Sequence, residues 1–192
     1  MSWAGVLAAV AAFQAQPLSW EGTAEVYPPG RVLKIAVRTR IDREGNVVSE
    51  SWPIDVGEAK GLRRMTITDA GGTMERAGEK QAMPADIWKE ERAQFGFYRQ
   101  LQVAASQLPA HIAQGVNAFS VDGAVRTWFR VGPDGELIGA VNEVPTADGR
   151  TWQEFRFDGL LQSSGAVFPR QMRMTRNGQP YFLLNVTRFD AH

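Results

Sequence analysis

From Pro17 onward the apolar positions recur with a period of two. Leu18, Trp20, Gly22, Ala24 and Val26 alternate with Ser19, Glu21, Thr23 and Glu25, the pattern of a strand with one face on a core and one in water. Pro28, Pro29 and Gly30 mark a turn. The clearest strand follows, with Leu33, Ile35, Val37, Thr39 and Ile41 on an apolar face and Lys34, Ala36, Arg38 and Arg40 on a largely cationic one. Asp42–Asn46 reads as a hairpin loop into Val47–Trp52. Met65 and Ile67 begin another strand, turned back at Asp69–Gly72 through Thr73 to Arg76.

The pattern changes between Pro84 and Leu108. Phe97, Leu101, Ala104, Ala105 and Leu108 fall at helical spacing, and Trp88 and Phe95 share a slightly offset face. Pro84 suits the first turn and Asp86 the positive end of the dipole. Gly96 is a weak point at which the helix could kink or break, and Pro109 is expected to end it, which leaves His111 in a loop. Strands then resume over Ala118–Val121, Val125–Val131, Leu137–Val144, Thr151–Asp158, Met172–Thr175 and Tyr181–Phe189. Asp122-Gly123, Asp134-Gly135, Asp148-Gly149 and Asn177-Gly178 supply the turns between them. Val125, Thr127, Phe129 and Val131 share one face, with Arg126, Trp128 and Arg130 on the other; Phe182, Leu184 and Val186 repeat the alternation opposite Met172 and Met174.

The expectation is a mainly β chain with a helical insert. About five strands precede the helix and about six follow it. Hairpins throughout mean an antiparallel sheet, and one of ten or eleven strands must curl, close or split. The insert is placed to cover its open face. No Pro-, Gly- or Ser-rich linker divides the chain, so residues 16–192 read as a single domain.

The 192 residues carry 21 basic and 21 acidic side chains, so no global field draws in nucleic acid or an anionic membrane. There is no Cys, which excludes a disulfide scaffold, an iron–sulfur centre and a thiolate zinc site. No apolar run is long enough for a membrane-spanning helix. Residues 1–15 read either as a short helix, with Trp3, Val6, Leu7, Val10 and Phe13 on one face, or as the remnant of a signal peptide without its basic start.

Catalytic signals are thin. His111 has no partner by spacing, Glu90-Glu91 point in different directions on a helix, and the Asp residues of the turns are explained by turn chemistry. No nucleotide-binding, nucleophile-elbow or metal-ligand motif is present. No catalytic residue, metal or cofactor is expected, and the chain does not read as an enzyme.

The informative excess is apolar: six Trp, ten Phe, three Tyr and six Met. On a curved sheet such side chains form either a filled core or a hollow for an apolar ligand. The candidate lining is Trp20, Leu33, Ile35, Val37, Met65 and Ile67 from the early strands, with Trp88, Phe95, Phe97 and Leu101 from the helix. Phe129, Phe155, Met172, Met174 and Leu184 complete it from the later strands, the methionines giving adaptable surface.

The C-terminal run is the most distinctive phrase. Asp158-Gly159, Ser164-Gly165-Ala166-Val167-Phe168-Pro169, Met172–Thr175, Asn177-Gly178-Gln179-Pro180 and Tyr181–Phe189 resemble the closing hairpin of bacterial proteins with the lipoprotein-carrier (Lol-type) fold. Trp20-Glu21-Gly22-Thr23-Ala24 is similar to that family's first strand. The resemblance implies a strongly curved antiparallel sheet forming an unclosed (half) β-barrel covered by helices. In the family's carriers that hollow holds acyl chains and a strand arginine bonds to the lid. Arg38 and Arg40 lie on the corresponding strand but alternate outward, so that role is not carried over. Its receptors are anchored through an N-terminal Cys that this sequence lacks, which points instead to a carrier or a divergent relative.

The expected function is a periplasmic, exported, monomeric binding or carrier protein for a lipid, a lipoprotein acyl chain or another apolar molecule, with a possible protein partner in the envelope and no nucleic acid. The alternative is a non-enzymatic interaction module with a filled core that contacts a partner protein, with Trp128 between Arg126 and Arg130 as its best feature.

Overall fold

The computed structural model describes residues 16–146 and 149–192. The segment read as a helix or signal remnant at residues 1–15 lies outside the described residues. Six strands come first: β1 (Leu18–Val26), β2 (Leu33–Ile41), β3 (Val47–Pro53), β4 (Arg63–Thr68), β5 (Gly71–Arg76) and β6 (Glu79–Ala82), with a single helical turn α1 (Glu58–Gly61) between β3 and β4. The long helix α2 (Ala85–Ala113) follows. Six more strands complete the domain: β7 (Ala118–Val121), β8 (Thr127–Val131), β9 (Leu137–Thr146), β10 (Gly149–Ser163), β11 (Ala166–Arg176) and β12 (Gln179–Ala191).

All twelve strands form one antiparallel sheet in the order β6-β5-β4-β3-β2-β1-β12-β11-β10-β9-β8-β7. It does not close, so the architecture is the half-barrel expected from the alternation and the turns. Each half is a meander of neighbouring hairpins. The halves meet where β1 pairs with β12, from Leu18 opposite Ala191 to Val26 opposite Phe182. A bulge at Glu21/Gly22 interrupts this seam. A Cβ on Gly22 would stand 2.0 Å from the Asn185 carbonyl oxygen, so the close approach of the two backbones requires glycine.

The concave face carries the apolar half of most strands, and α2 lies in it. Phe97, Phe129, Phe155, Phe168, Met172 and Met174 are all sealed from solvent. The Phe97 ring is nearly parallel to Phe155 at 4.0 Å between centroids. Polar contacts anchor the helix along its length. Trp88 Nε1 donates to the Thr68 carbonyl at 3.0 Å. The Arg99 guanidinium donates to the carbonyls of Gln16 and Asp42; burial works against its charge and lowers its pKa, which the nearby Asp42 carboxylate partly offsets. Gln100 Nε2 donates to the Val121 and Val125 carbonyls. Gln102 Nε2 donates to the Val167 carbonyl at 2.6 Å and its Oε1 accepts from the Val167 amide at 3.1 Å. In this last pair a side-chain amide replaces a neighbouring strand, because β12 pairs with β11 only from Gln171 onward.

Several expectations are corrected. Helix α2 does not end at Pro109 but runs one turn further, to Ala113, and Gly96 does not break it. Proline removes one amide donor; the last turn is held instead by stacking of His111 on Phe119 at 3.9 Å and by the Val116 amide bonding to the His111 carbonyl. His111 is therefore helical, not in a loop. Strand β10 continues past Asp158 to Ser163, because Gly159 takes φ +62° without ending the ladder. The first half holds six strands: the added one, β6, is a short polar edge strand with no apolar alternation to reveal it.

Candidate functional site

The helix does not fill the hollow evenly. It packs tightly over β8–β11 and leaves β1, β2 and β12 partly uncovered. There an open, mainly apolar cleft of about 180 Å³ lies between α2 and the sheet. Trp20, Ala24 and Val26 of β1, Ile35 and Val37 of β2, and Tyr181, Phe182 and Leu184 of β12 form its strand side. Gln94, Phe95 and Tyr98 of α2 form the other side. Trp20 packs against Tyr98 at 4.6 Å and against Phe168 at 5.0 Å, which fixes the floor. Burial pushes the Tyr98 phenol far above its ordinary pKa, so it stays neutral.

At one end the cleft is bounded by an ion pair. Arg176 at the end of β11 bonds Glu90 of α2 at 2.6 Å and donates to Gln94 Oε1 at 3.3 Å. Its guanidinium carbon lies 3.6 Å from the centroid of Tyr181. The helix is thereby tied to the β11–β12 turn beside the opening.

A second, larger and more polar groove of about 550 Å³ continues along the concave face over β3–β6. It shares Ser49 with the apolar cleft, and Ser51, Arg63, Met65, Met74 and Arg76 line it. On the opposite flank of α2 a third cleft of about 370 Å³ is lined by Val47, Ile67 and Phe95 together with Arg43, Arg92 and Arg99.

The predicted lining residues separate into distinct environments. Trp20, Ile35, Val37, Phe95 and Leu184 come together around the apolar cleft. Met65 lies in the neighbouring groove and Ile67 on the other flank. Phe97, Leu101, Phe129, Phe155, Met172 and Met174 are packed under α2 in the core. Trp88 sits against the β4–β5 turn through its bond to Thr68. Leu33, at the start of β2, is 38% exposed. Tyr98, Tyr181 and Phe182 line the cleft without having been singled out. The alternation of Phe182 with Leu184, and the helical spacing of Tyr98 from Phe95, are the signals that point to two of them.

On the convex face Arg38 and Arg64 converge on Glu50, at 2.6 and 2.7 Å. Partial burial of Glu50 works to raise its pKa, but the hydrogen bonds from Arg64 and Arg38 outweigh it and hold the carboxyl below its usual range. Arg38 is thus a convex-face ion-pair partner and lies away from the helix. Among the described residues no group of three or more His, Asp or Glu is placed to hold a metal ion, and no helix is long and apolar enough to cross a membrane.

An open twelve-stranded half-barrel, wrapped on a helix that leaves an apolar cleft, is the lipoprotein-carrier (Lol-type) fold. The solved structure of a LolA superfamily protein from Nitrosomonas europaea superposes with a TM-score of 0.54 at 7% identity, covering 98% of this chain and 93% of that one. A DUF1329 family protein from Desulfovibrio piger gives a TM-score of 0.45 at 11% identity over 97% of this chain and 91% of its own. The likeness is one of fold. No family profile and no curated protein matches the sequence.

Proposed function

We propose that the chain is a periplasmic, non-enzymatic carrier that shelters a lipid, a lipoprotein acyl chain or another apolar molecule on the concave face of the half-barrel. The observation that carries this reading is the cleft of about 180 Å³ walled by Trp20, Val37, Phe95, Tyr98, Phe182 and Leu184. Tightly packed interiors leave few voids beyond the size of a water. An apolar hollow open to solvent contributes nothing to stability until something apolar occupies it. Each methylene moved into it from water stabilises the complex by roughly 0.8 kcal/mol, so a long chain binds without polar anchors. The likeness of the fold to a LolA superfamily protein supports the same reading.

The test is native mass spectrometry and lipid extraction of protein purified from its host, with titration of a fluorescent fatty acid. Bound lipid is expected, together with saturable uptake that Val37→Trp abolishes by filling the cleft. Absence of lipid and of uptake in the wild-type protein would overturn the proposal.

One feature favours the alternative, a module that contacts a partner protein through its convex face. Trp128 and Trp152 are 47% and 49% exposed there, with Arg130 and Arg150 two positions along the same strands. A co-purifying envelope protein lost on Trp128→Ala, with no lipid uptake, would favour that reading.

A further inference from the structure

The larger groove has a feature that an apolar carrier does not need. Read across the strands at one level, Val37 of β2 stands opposite Ser51 of β3, Ser51 opposite Arg63 of β4, and Arg63 opposite Arg76 of β5. Alternation from the buried Ile67 through Met65 puts Arg63 on the concave side. Its partner Arg76 shares that side with Met74, which stands opposite Met65. Two guanidinium groups therefore face one another on adjacent strands, where like charges destabilise the sheet.

The convex face treats arginine differently: Arg38 and Arg64 both pair with Glu50 there. Among the described residues, neither Arg63 nor Arg76 forms an ion pair or a side-chain hydrogen bond. Three acidic groups also border this groove. Glu75 is committed to Arg64, 3.9 Å away. Glu79 is the register partner of Arg76 on β6 but makes no ion pair with it. Glu91 of α2 lies over the groove; burial, and then the adjacent Glu90, raise its pKa and so reduce its claim on either arginine. Val37, which lines the apolar cleft, is two strands from Arg63, about 10 Å at ordinary strand spacing. The apolar cleft and the arginine pair thus lie along one continuous concave path.

We propose, resting on the carrier reading above, that the ligand is an anionic amphiphile whose tail lies in the apolar cleft and whose head group lies between Arg63 and Arg76. The head carries a carboxylate or phosphate, whose paired oxygens match the guanidinium fork. The Ser51 hydroxyl beside Arg63 supplies a further donor. Binding relieves the repulsion between the two arginines, so head-group recognition and strand pairing reinforce each other.

The test compares a dansyl-labelled undecanoic acid with the matching alcohol, titrated into the full chain by fluorescence. The acid is expected to bind about tenfold tighter than the alcohol, as one charge-assisted contact provides. Arg63→Gln/Arg76→Gln removes that preference and leaves binding of the alcohol unchanged. Without probe the double variant melts at or above the wild type, because the repulsion has gone. Equal binding of acid and alcohol by the wild type overturns the head-group site and leaves the carrier reading standing. Failure of both probes overturns the carrier reading itself. Displacement of the acid by butyrate at equal concentration overturns the amphiphile assignment in favour of a free-anion site. A lower melting temperature for the double variant shows that the arginines hold the fold and overturns the proposal.

Discussion

Phe97→Ala tests whether α2 is a plug welded into the half-barrel. The Phe97 side chain is 1% exposed, and its ring lies 4.0 Å from Phe155 and 6.0 Å from Phe129 between centroids. Truncation removes the transfer free energy of the ring and leaves a void that the surrounding strands cannot collapse into, together about 3–5 kcal/mol. That is a large share of the roughly 5–15 kcal/mol that holds a domain together. At this chain length it lowers the melting temperature by roughly 6–20 °C. Urea unfolding, followed by both far-ultraviolet circular dichroism and Trp fluorescence, should show an earlier midpoint with the slope unchanged. Ile87→Ala, at an exposed position on the same helix, is the control and should stay within about 0.5 kcal/mol of wild type. A loss below about 1 kcal/mol at Phe97 would show instead that the helix rests loosely on the sheet.

Gln102→Ala leaves the Val167 amide and carbonyl without their partner and should cost about 2–4 kcal/mol, measured by urea unfolding, with hydrogen exchange fastest at the Val167 amide. Gly96→Ala should stabilise the fold by about 1 kcal/mol in a thermal melt, because a Cβ there meets nothing within 4 Å and alanine favours the helix. Glu50, with its carboxyl held below the ordinary value of 4.5, stabilises the fold above that pH, and the contribution is lost as pH falls through the lower folded value. Glu50→Gln should therefore cost about 1–3 kcal/mol at pH 7, with the gap to wild type closing below about pH 4.5 in a pH series of denaturation curves.

The sheet was legible because its strands are half-solvated. One face meets α2 and the other meets water, so period-two alternation survives in β1, β2, β8 and β12. The helix was legible from Phe97, Leu101 and Ala104, which share the buried stripe. Its last turn was hidden because Pro109 is a local signal, whereas the stacking of His111 on Phe119 is a tertiary one. The cleft was only partly legible. Phe95 and Phe97 are two residues apart and look alike in sequence, yet one borders the cleft and the other is sealed in the core. Which is which depends on how far α2 covers the sheet. The arginine pair was not legible at all: reading β4 from Met65 leaves Arg63 outside the sheet, and only the register brings it opposite Arg76.

The seam at β1–β12 sets the order in which the chain can organise. Every other pairing among the described strands joins sequence neighbours and so zips up over a short loop, while β6 and β7, which flank α2, are the two free edges. The seam alone brings Leu18 to Ala191 and must overcome a closure entropy that grows with the logarithm of the intervening length. Two preformed wings that join late are the consequence, with the join slow relative to the hairpins. The bulge at Gly22 locally interrupts this ladder, so the amides around it are expected to exchange with solvent before those of the flanking β1–β2 and β11–β12 ladders.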